Sequence, residues 1–239
     1  MVPEIIFIIP YRNRPQYKFF FDKHIKHVLE DLDSNTYEIY YAEQCDERPF
    51  NRGAMKNIGF MALREKYKKH YKDITFVFND VDCIPYTKNI INYKTKKGIV
   101  KHFYGHLRML GGIISITGND FENLNGFPNF WTWGYEDNVL QKRADLKKLY
   151  TDRTTFFKIS DPNILHFFHG VAREHDPNMN PFHNTISGID SIENLNYTIH
   201  NNIIRIIHFT SIYDILPDKN IKLIDISKHE YAKEKQRLY

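Results

Sequence analysis

The stretch FVFNDVDCIP, residues 76–85, runs from apolar residues into charge. Phe76, Val77 and Phe78 suit a buried strand, and Pro85 ends the run. Between them stand Asp80 and Asp82, one residue apart. In an extended segment, side chains two apart share a face. The two carboxylates then repel unless a cation or donor lies between them. Hard or borderline divalent ions such as Mn2+ and Mg2+ accept such oxygens. Strand-end aspartates also cap turns and helices, so the pair alone leaves both readings open.

The surrounding pattern gives the strand its place. EIIFIIP (4–10) is a continuous apolar run closed by proline, as in a buried strand. QYKFFFDKHIKHVLEDL (16–32) has helical spacing, and YEIYYAE (37–43) is a second strand. RGAMKNIGFMALREKYKKHY (52–71) is a helix with Met55, Ile58, Phe60, Met61 and Leu63 toward the core. DITFVFND (73–80) is the third strand. The alternation predicts a parallel sheet with right-handed crossovers. Ligands of such sheets sit at the carboxyl ends of the strands, where Pro10–Arg14 and Asp80–Asp82 fall.

The second half is less regular. GGIISIT (111–117) reads as a strand, YEDNVLQKRADLKKL (135–149) as a helix and NILHFFHG (163–170) as a strand ending in histidines. LNYTIH (195–200), NIIRIIHF (202–209) and IKLIDIS (221–227) read as short strands before a charged tail. The expected architecture is one α/β domain over 1–239, its mostly parallel Rossmann-like sheet flanked by helices, with a smaller β-rich C-terminal part. Three successive parts are expected within it, 1–85, 86–185 and a C-terminal extension at 186–239.

Composition narrows the classes. With 42% hydrophobic and 26% charged residues in 239, the chain is globular rather than disordered. The 15% aromatic content suits sugar stacking or simply a thick core. A net charge of +4 mildly favours anionic partners, but no nucleic-acid-binding motif is present. Two cysteines give no disulfide framework and suit a reducing compartment. No apolar run approaches the roughly 20 residues of a membrane span, and a first strand at Ile5 leaves no room for a signal peptide. These features predict a soluble cytoplasmic protein without a transmembrane anchor, with peripheral membrane contact through the basic tail left open. The sequon at Asn196 then has no consequence. Richness in Ile, Asn, Lys, Tyr and Phe points to an AT-rich genome, viral or low-GC bacterial.

No G-x-G-x-x-G and no P-loop lysine motif occurs, so a bound nucleotide would need another phosphate neutraliser, a divalent metal being the obvious one. His166 and His169, in HFFH, suit Mn2+ better than Mg2+, although single histidines near strand ends are more often plain core or surface residues. NGFPNFWTWGYEDN (125–138) carries the only two tryptophans, Trp131 and Trp133, followed by Glu136 and Asp137. Aromatic faces stack on sugar rings, and a carboxylate beside them can act as a general base. The same pattern fits a buried tryptophan cluster at a helix start, with acids favouring the helix dipole.

Taken together, IIPYRNRPQY, FNRGAMKNIGF, FVFNDVDCIP, GGIISITGNDFENLNGFPNFWTWGYEDN and HFFHGVAREHDPNMNP are similar to the β-1,4-galactosyltransferase family and follow its order from Ile8 to Pro181. The resemblance implies a GT-A fold and an inverting, Mn2+-dependent transferase that uses a UDP-sugar donor and a glycan or glycoconjugate acceptor. It implies a nucleotide-sugar site of Pro10, Tyr11, Arg12, Asn13, Arg14, Phe50, Asn51, Arg52, Asp80, Val81, Asp82, Met109, Gly111, Gly112, Trp133 and His169. Asp82, His166 and His169 would bind the metal, with His175 or His183 as alternatives to His166. Trp133, Tyr135, Glu136, Asp137 and Asn138 would meet the acceptor, Asp137 as base. Galactose-specific members carry tyrosine where Met109 stands, so the donor is UDP-galactose or UDP-N-acetylgalactosamine.

The chain departs from the family at Asn138, where an acid is usual, and at Val171, where arginine is frequent. The family's anchor, stem and secretory disulfides are missing, which implies a minimal catalytic domain. Two other readings compete: an inactive carbohydrate or nucleotide-sugar-binding module of the same fold, and a metal-dependent phosphoryl-transfer enzyme. The intact Glu136–Asp137 pair argues against the first, and the lack of clustered carboxylates for a two-metal site argues against the second.

Overall fold

A computed structural model describes residues 1–167 and 186–211, and the backbone of 172–175 and 222–225. The elements in chain order are β1 (Ile5–Tyr11), α1 (Pro15–Val28), β2 (Tyr37–Gln44), α2 (Arg52–Lys66), β3 (Thr75–Asn79), β4 (Cys83–Pro85), β5 (Ile99–Gly105), β6 (Ile113–Thr117), α3 (Gly118–Asn123), α4 (Glu136–Leu146), β7 (Tyr150–Asp152), β8 (Phe157–Lys158), β9 (Ile164–His166), β10 (Ala172–His175), a 3-10 turn (Ile189–Ser191), β11 (Ile192–His200), β12 (Ile203–Ser211) and β13 (Lys222–Asp225).

The main sheet runs β11-β12-β2-β1-β3-β6-β5-β7, with β8 also paired to β5. β1 lies parallel to both β2 and β3, as the alternation predicts. Every residue of β1, β3 and β6 is buried, because helices cover both faces. Strand period two sorts their side chains. Ile6, Ile8, Phe76 and Phe78 pack with α2, α3 and α4 on one face. Ile5, Phe7, Ile9 and Val77 pack with Phe21, Ile25 and Val28 of α1 on the other. Gly59 lets α2 lie close to the sheet, since a Cβ there would stand 2.7 Å from Ile8 Cγ2.

The sheet is mostly parallel, as expected, and three details go beyond the sequence reading. β6 runs antiparallel to β3 and β5, so the sheet is mixed beyond β3. β5, IVKHFYG, escapes a sequence reading because Lys101 and His102 break its apolar run. The C-terminal strands β11 and β12 do not stand apart from the sheet: β12 pairs parallel with β2 and extends its edge. Ile204, Ile206 and Phe209 of β12 alternate into the α2-side core, while Arg205, Ile207 and His208 face outward. Among the described residues, no helix is long and apolar enough to cross a membrane.

Candidate active site

The site gathers at the carboxyl ends of β1 and β3 and the amino end of α2. After β1 the chain turns through Asn13, whose φ is +47°. Arg12, Asn13 and Arg14 face Glu47, Arg48, Pro49 and Phe50 across a cavity of about 370 Å³. Arg12 donates to the Arg48 carbonyl and so closes one wall. Pro10 and Tyr11 belong to the strand itself, and Tyr11 packs edge-on against Tyr41 at 5.9 Å, with its ring in the core.

After β3 the D-V-D segment is a turn rather than extended chain, which corrects the reading that Asp80 and Asp82 share a face. The Cys83 N–H donates to the Asp80 carbonyl at 3.2 Å. Asn79 Nδ2 donates to the carbonyls of Asp80 (2.8 Å) and Cys83 (2.7 Å), which pins the turn from below. The turn sends the two carboxylates to different cations. Asp80 Oδ2 accepts from Arg52 at 2.7 Å, and Asp82 Oδ2 from Arg14 at 3.5 Å. Val81 between them is buried in the α1-side core.

Arg52 opens α2, and Asn51 is its N-cap. The Asn51 side chain accepts from the Ala54 N–H at 2.9 Å, while its own backbone N–H donates to Gln44 Oε1 at 2.8 Å. So anchored, Arg52 meets three carboxylates. Besides Asp80 it donates to Glu136 Oε1 at 2.5 Å and Asp137 Oδ2 at 2.8 Å. Lys56, one turn further along α2, brings Nζ to 3.2 Å from Asp80 Oδ1 and 3.9 Å from Asp137 Oδ1.

Asp137 reaches this cluster through an unusual helix start. Gly134 (φ +117°) and Tyr135 (φ +67°) reverse the chain, and α4 begins at once with Glu136 and Asp137, both buried. Leu110 N–H donates to the Asp137 carbonyl at 3.1 Å. Gly111 leaves room for the carboxylate: a Cβ there would lie 2.2 Å from Asp137 Oδ2. Gly112 (φ +71°) shapes the same turn before β6. Burial raises the Asp137 pKa to about 6; Arg52 and Lys56 oppose the rise, and Glu136 and Asp80 add to it.

The tryptophans divide. Trp131 is a core residue, stacked on Phe209 with ring centres 5.1 Å apart and the Arg48 guanidinium 4.1 Å from its own. Trp133 and Tyr135 are half-buried, and Asn138 lies on α4 beside the acids. Met109 is half-buried on the turn between β5 and β6.

β9 pairs antiparallel with β4, so that His166 lies opposite Cys83 and the Phe167 N–H donates to the Asp82 carbonyl at 2.8 Å. Asp82 and His166 therefore stand on adjoining chain segments. The Tyr104 hydroxyl and His166 Nδ1 share a hydrogen bond of 2.8 Å, an orienting contact typical of metal-binding imidazoles. A carboxylate with an oriented imidazole suits Mn2+. His169 and His183 lie outside the described residues, as does the His175 side chain. Among the described residues no group of three metal-ligating side chains occurs.

Lys56, Gln44, Asn79 and Tyr104 were not anticipated from the sequence. Lys56 alone left a signal, as a lysine four residues after Arg52 inside an otherwise buried helix segment.

Residues 2–96 match the family described as the N-terminal region of glycosyl transferase group 7, and residues 98–170 match the one described as the N-terminal domain of galactosyltransferase. The chain is 31% identical to β-1,4-galactosyltransferase 4 of Cricetulus griseus, over 68% of this chain and 46% of the relative. It is 28% identical to xylosylprotein 4-β-galactosyltransferase of Caenorhabditis elegans, over 71% of this chain and 60% of the relative. The chain thus spans about half the length of the curated relatives it matches. In fold it is similar to the catalytic domain of Drosophila β1,4-galactosyltransferase 7, solved in complex with xylobiose. The TM-score is 0.71 at 19% identity, covering 90% of this chain and 96% of that one. A mutant of that Drosophila enzyme, solved with manganese, UDP-Gal and xylobiose, gives a TM-score of 0.69 at 18% identity, with the same coverage.

Proposed function

Because the chain belongs to the β-1,4-galactosyltransferase family of glycosyl transferase group 7, we propose that it transfers galactose or N-acetylgalactosamine from a UDP-sugar to a sugar hydroxyl, with inversion. The observation that carries this reading is Asp137: a buried carboxylate with its pKa raised to about 6, at the start of α4 and tied through Arg52 to the D-V-D turn. A general base works best with a pKa near the working pH.

In this reading residues 1–239 act as one catalytic domain. Arg12, Asn13, Arg14 and Phe50 bind the uridine diphosphate in the cavity that they line. Asp82, His166 and His169 would hold Mn2+, which when bound supplies positive charge to the departing diphosphate. Trp133 and Tyr135 offer aromatic faces to the donor and acceptor sugars, and Glu136 and Asn138 offer polar contacts. Asp137 accepts the proton of the acceptor hydroxyl as its oxygen bonds to the anomeric carbon and the bond to the diphosphate breaks. Met109 is flexible, and leaves more room on the C2 side of the donor than the rigid ring of tyrosine would. A cytoplasmic setting is consistent with Cys45 and Cys83, which form no disulfide.

The test is release of UDP from UDP-galactose and UDP-N-acetylgalactosamine, with Mn2+ and a panel of sugar acceptors. Asp137→Asn should lower turnover at least 100-fold while leaving UDP-sugar affinity near normal, since a base acts on the acceptor. Binding of the UDP-sugar without turnover on any acceptor would identify a non-catalytic module. Strict use of galactose, unchanged by Met109→Tyr, would remove position 109 from donor choice.

A further inference from the structure

Lys56 is 1% exposed, on a helix whose neighbouring residues Met55, Asn57, Ile58 and Phe60 are equally buried. A lysine is almost never buried so deeply unless it is paired. Its ammonium lies 4.7 Å from the centre of the Phe127 ring and in ionic contact with Asp80 Oδ1 at 3.2 Å. Asp137 Oδ1 is the next acid oxygen, at 3.9 Å. Among the described residues neither carboxylate oxygen has a hydrogen-bond partner, and both are shut off from solvent. Arg52 takes the other oxygen of each, Asp80 Oδ2 at 2.7 Å and Asp137 Oδ2 at 2.8 Å. Two cations one helical turn apart therefore grip the same two carboxylates from opposite sides.

We propose that Lys56 is a positioning residue for the transfer step, which fixes the second oxygen of Asp137 against Asp80 and keeps Asp137 in its proton-accepting form. The proposal rests on the reading of Asp137 as the base. Charge balance gives the reason. Asp80, Glu136 and Asp137 together carry three negative charges, and Arg52 supplies one positive charge. Lys56 supplies the second, so its removal leaves two uncompensated charges in a buried site. Among the described residues the charged groups facing Asp137 are Arg52 and Lys56 from α2, Asp80 from the β3–β4 turn and Glu136 from α4 itself, while from the β5–β6 turn Gly111 adjoins its carboxylate and the Leu110 N–H donates to its carbonyl. Asp137 takes the acceptor proton, and Lys56 exchanges none.

The deciding variant is Lys56→Met, similar in length and uncharged. The acid limb of its kcat/KM profile should move up from near pH 6 by about one unit or more, as expected when a nearby opposite charge is lost. Activity should recover at high pH, with UDP affinity within about twofold of the wild type. A merely structural lysine would lower activity equally at every pH, and an unmoved limb overturns the proposal.

A second readout needs no turnover. The folded pKa of Asp137, about 6, lies above its ordinary value of 3.8, so this carboxyl stabilises fully below about pH 3.8 and its contribution is lost as pH rises through 6. That window is read as the melting-temperature difference between each protein and its Asp137→Asn counterpart. In the Lys56→Met background it should extend to higher pH, and an unchanged window counts against the proposal. If Lys56→Met does not fold, the Lys56→Met, Asp137→Asn double variant decides. Recovery of folding supports the pairing with Asp137, and failure to fold overturns it. A wild-type protein that releases no UDP would overturn the base reading itself, and this role with it.

Discussion

Asp80 turns toward Arg52 and Lys56, whereas Asp82 turns toward Arg14. Two residues that repel in an extended strand are thus separated by one tight turn and neutralised independently. Their substitution should therefore differ in kind. Asp82→Ala should abolish Mn2+-dependent binding of UDP-sugar, read by calorimetry with and without chelator, and leave the melting temperature within a few degrees. Full nucleotide binding in chelator would show that no metal is held there. Gly111→Ala tests the other end of the cluster. The added methyl must displace an Asp137 carboxylate already clamped by Arg52. The expected outcome is a turnover loss of 10-fold or more, with about 1–3 kcal/mol of destabilisation in urea melts. Normal turnover would mean that Asp137 has another working position.

The candidate site residues sit at element ends, and the ends at α2 and α4 are held by polar contacts as well as by packing. α2 begins on Asn51, capped at Ala54 and held from β2 by Gln44. Asn51→Ala should cost about 1 kcal/mol for the lost cap, or about 2–4 °C in a chain of this size. It should also reduce turnover, because Arg52 loses its fixed origin while the core of α2 stays intact. A variant that melts lower but turns over normally would uncouple the cap from the site. α4 has no side-chain cap and relies on the left-handed Tyr135 after Gly134, with Glu136 and Asp137 in its positive first turn. Glu136 and Asp137 were legible as acids at a helix start. That the same acids serve Arg52, 84 and 85 positions away, was not legible, because local pattern carries no information about distant partners.

Across the whole molecule, the C-terminal strands are built into the fold by buried polar contacts. Asn129, in the G-F-P-N block, donates to the Gly188 carbonyl at 2.8 Å and to Ser191 Oγ at 3.1 Å, accepts from Asn57 at 2.9 Å, and its N–H donates to Ser187 Oγ at 2.9 Å. Arg143 of α4 donates to the Gly126 carbonyl at 2.5 Å and also reaches the Ser187 carbonyl. The helix that carries Asp137 is thereby fastened to the segment leading into β11. Asn129→Ala leaves buried groups unpaired and should cost about 1–3 kcal/mol, with protease sensitivity appearing first around residues 186–191. Unchanged stability would place that segment outside the cooperative unit.

The sequence by itself determined the strand-helix-strand-helix-strand core, because burial on both faces writes long apolar runs and helical spacing directly into the chain. It also located Pro10–Arg14, Phe50–Arg52, Asp80–Asp82 and Glu136–Asp137 at strand and helix ends, where a parallel sheet exposes backbone and ligands bind. It resembled one family closely enough to suggest roles for them. Only the tertiary structure decided which cation each acid meets, that Trp131 belongs to the core, that β12 joins the edge of β2, and that Lys56 lies beneath the site. Those outcomes depend on contacts between residues far apart in the chain. Their free energies come from burial and charge pairing that exist only once the sheet has brought the strand ends together.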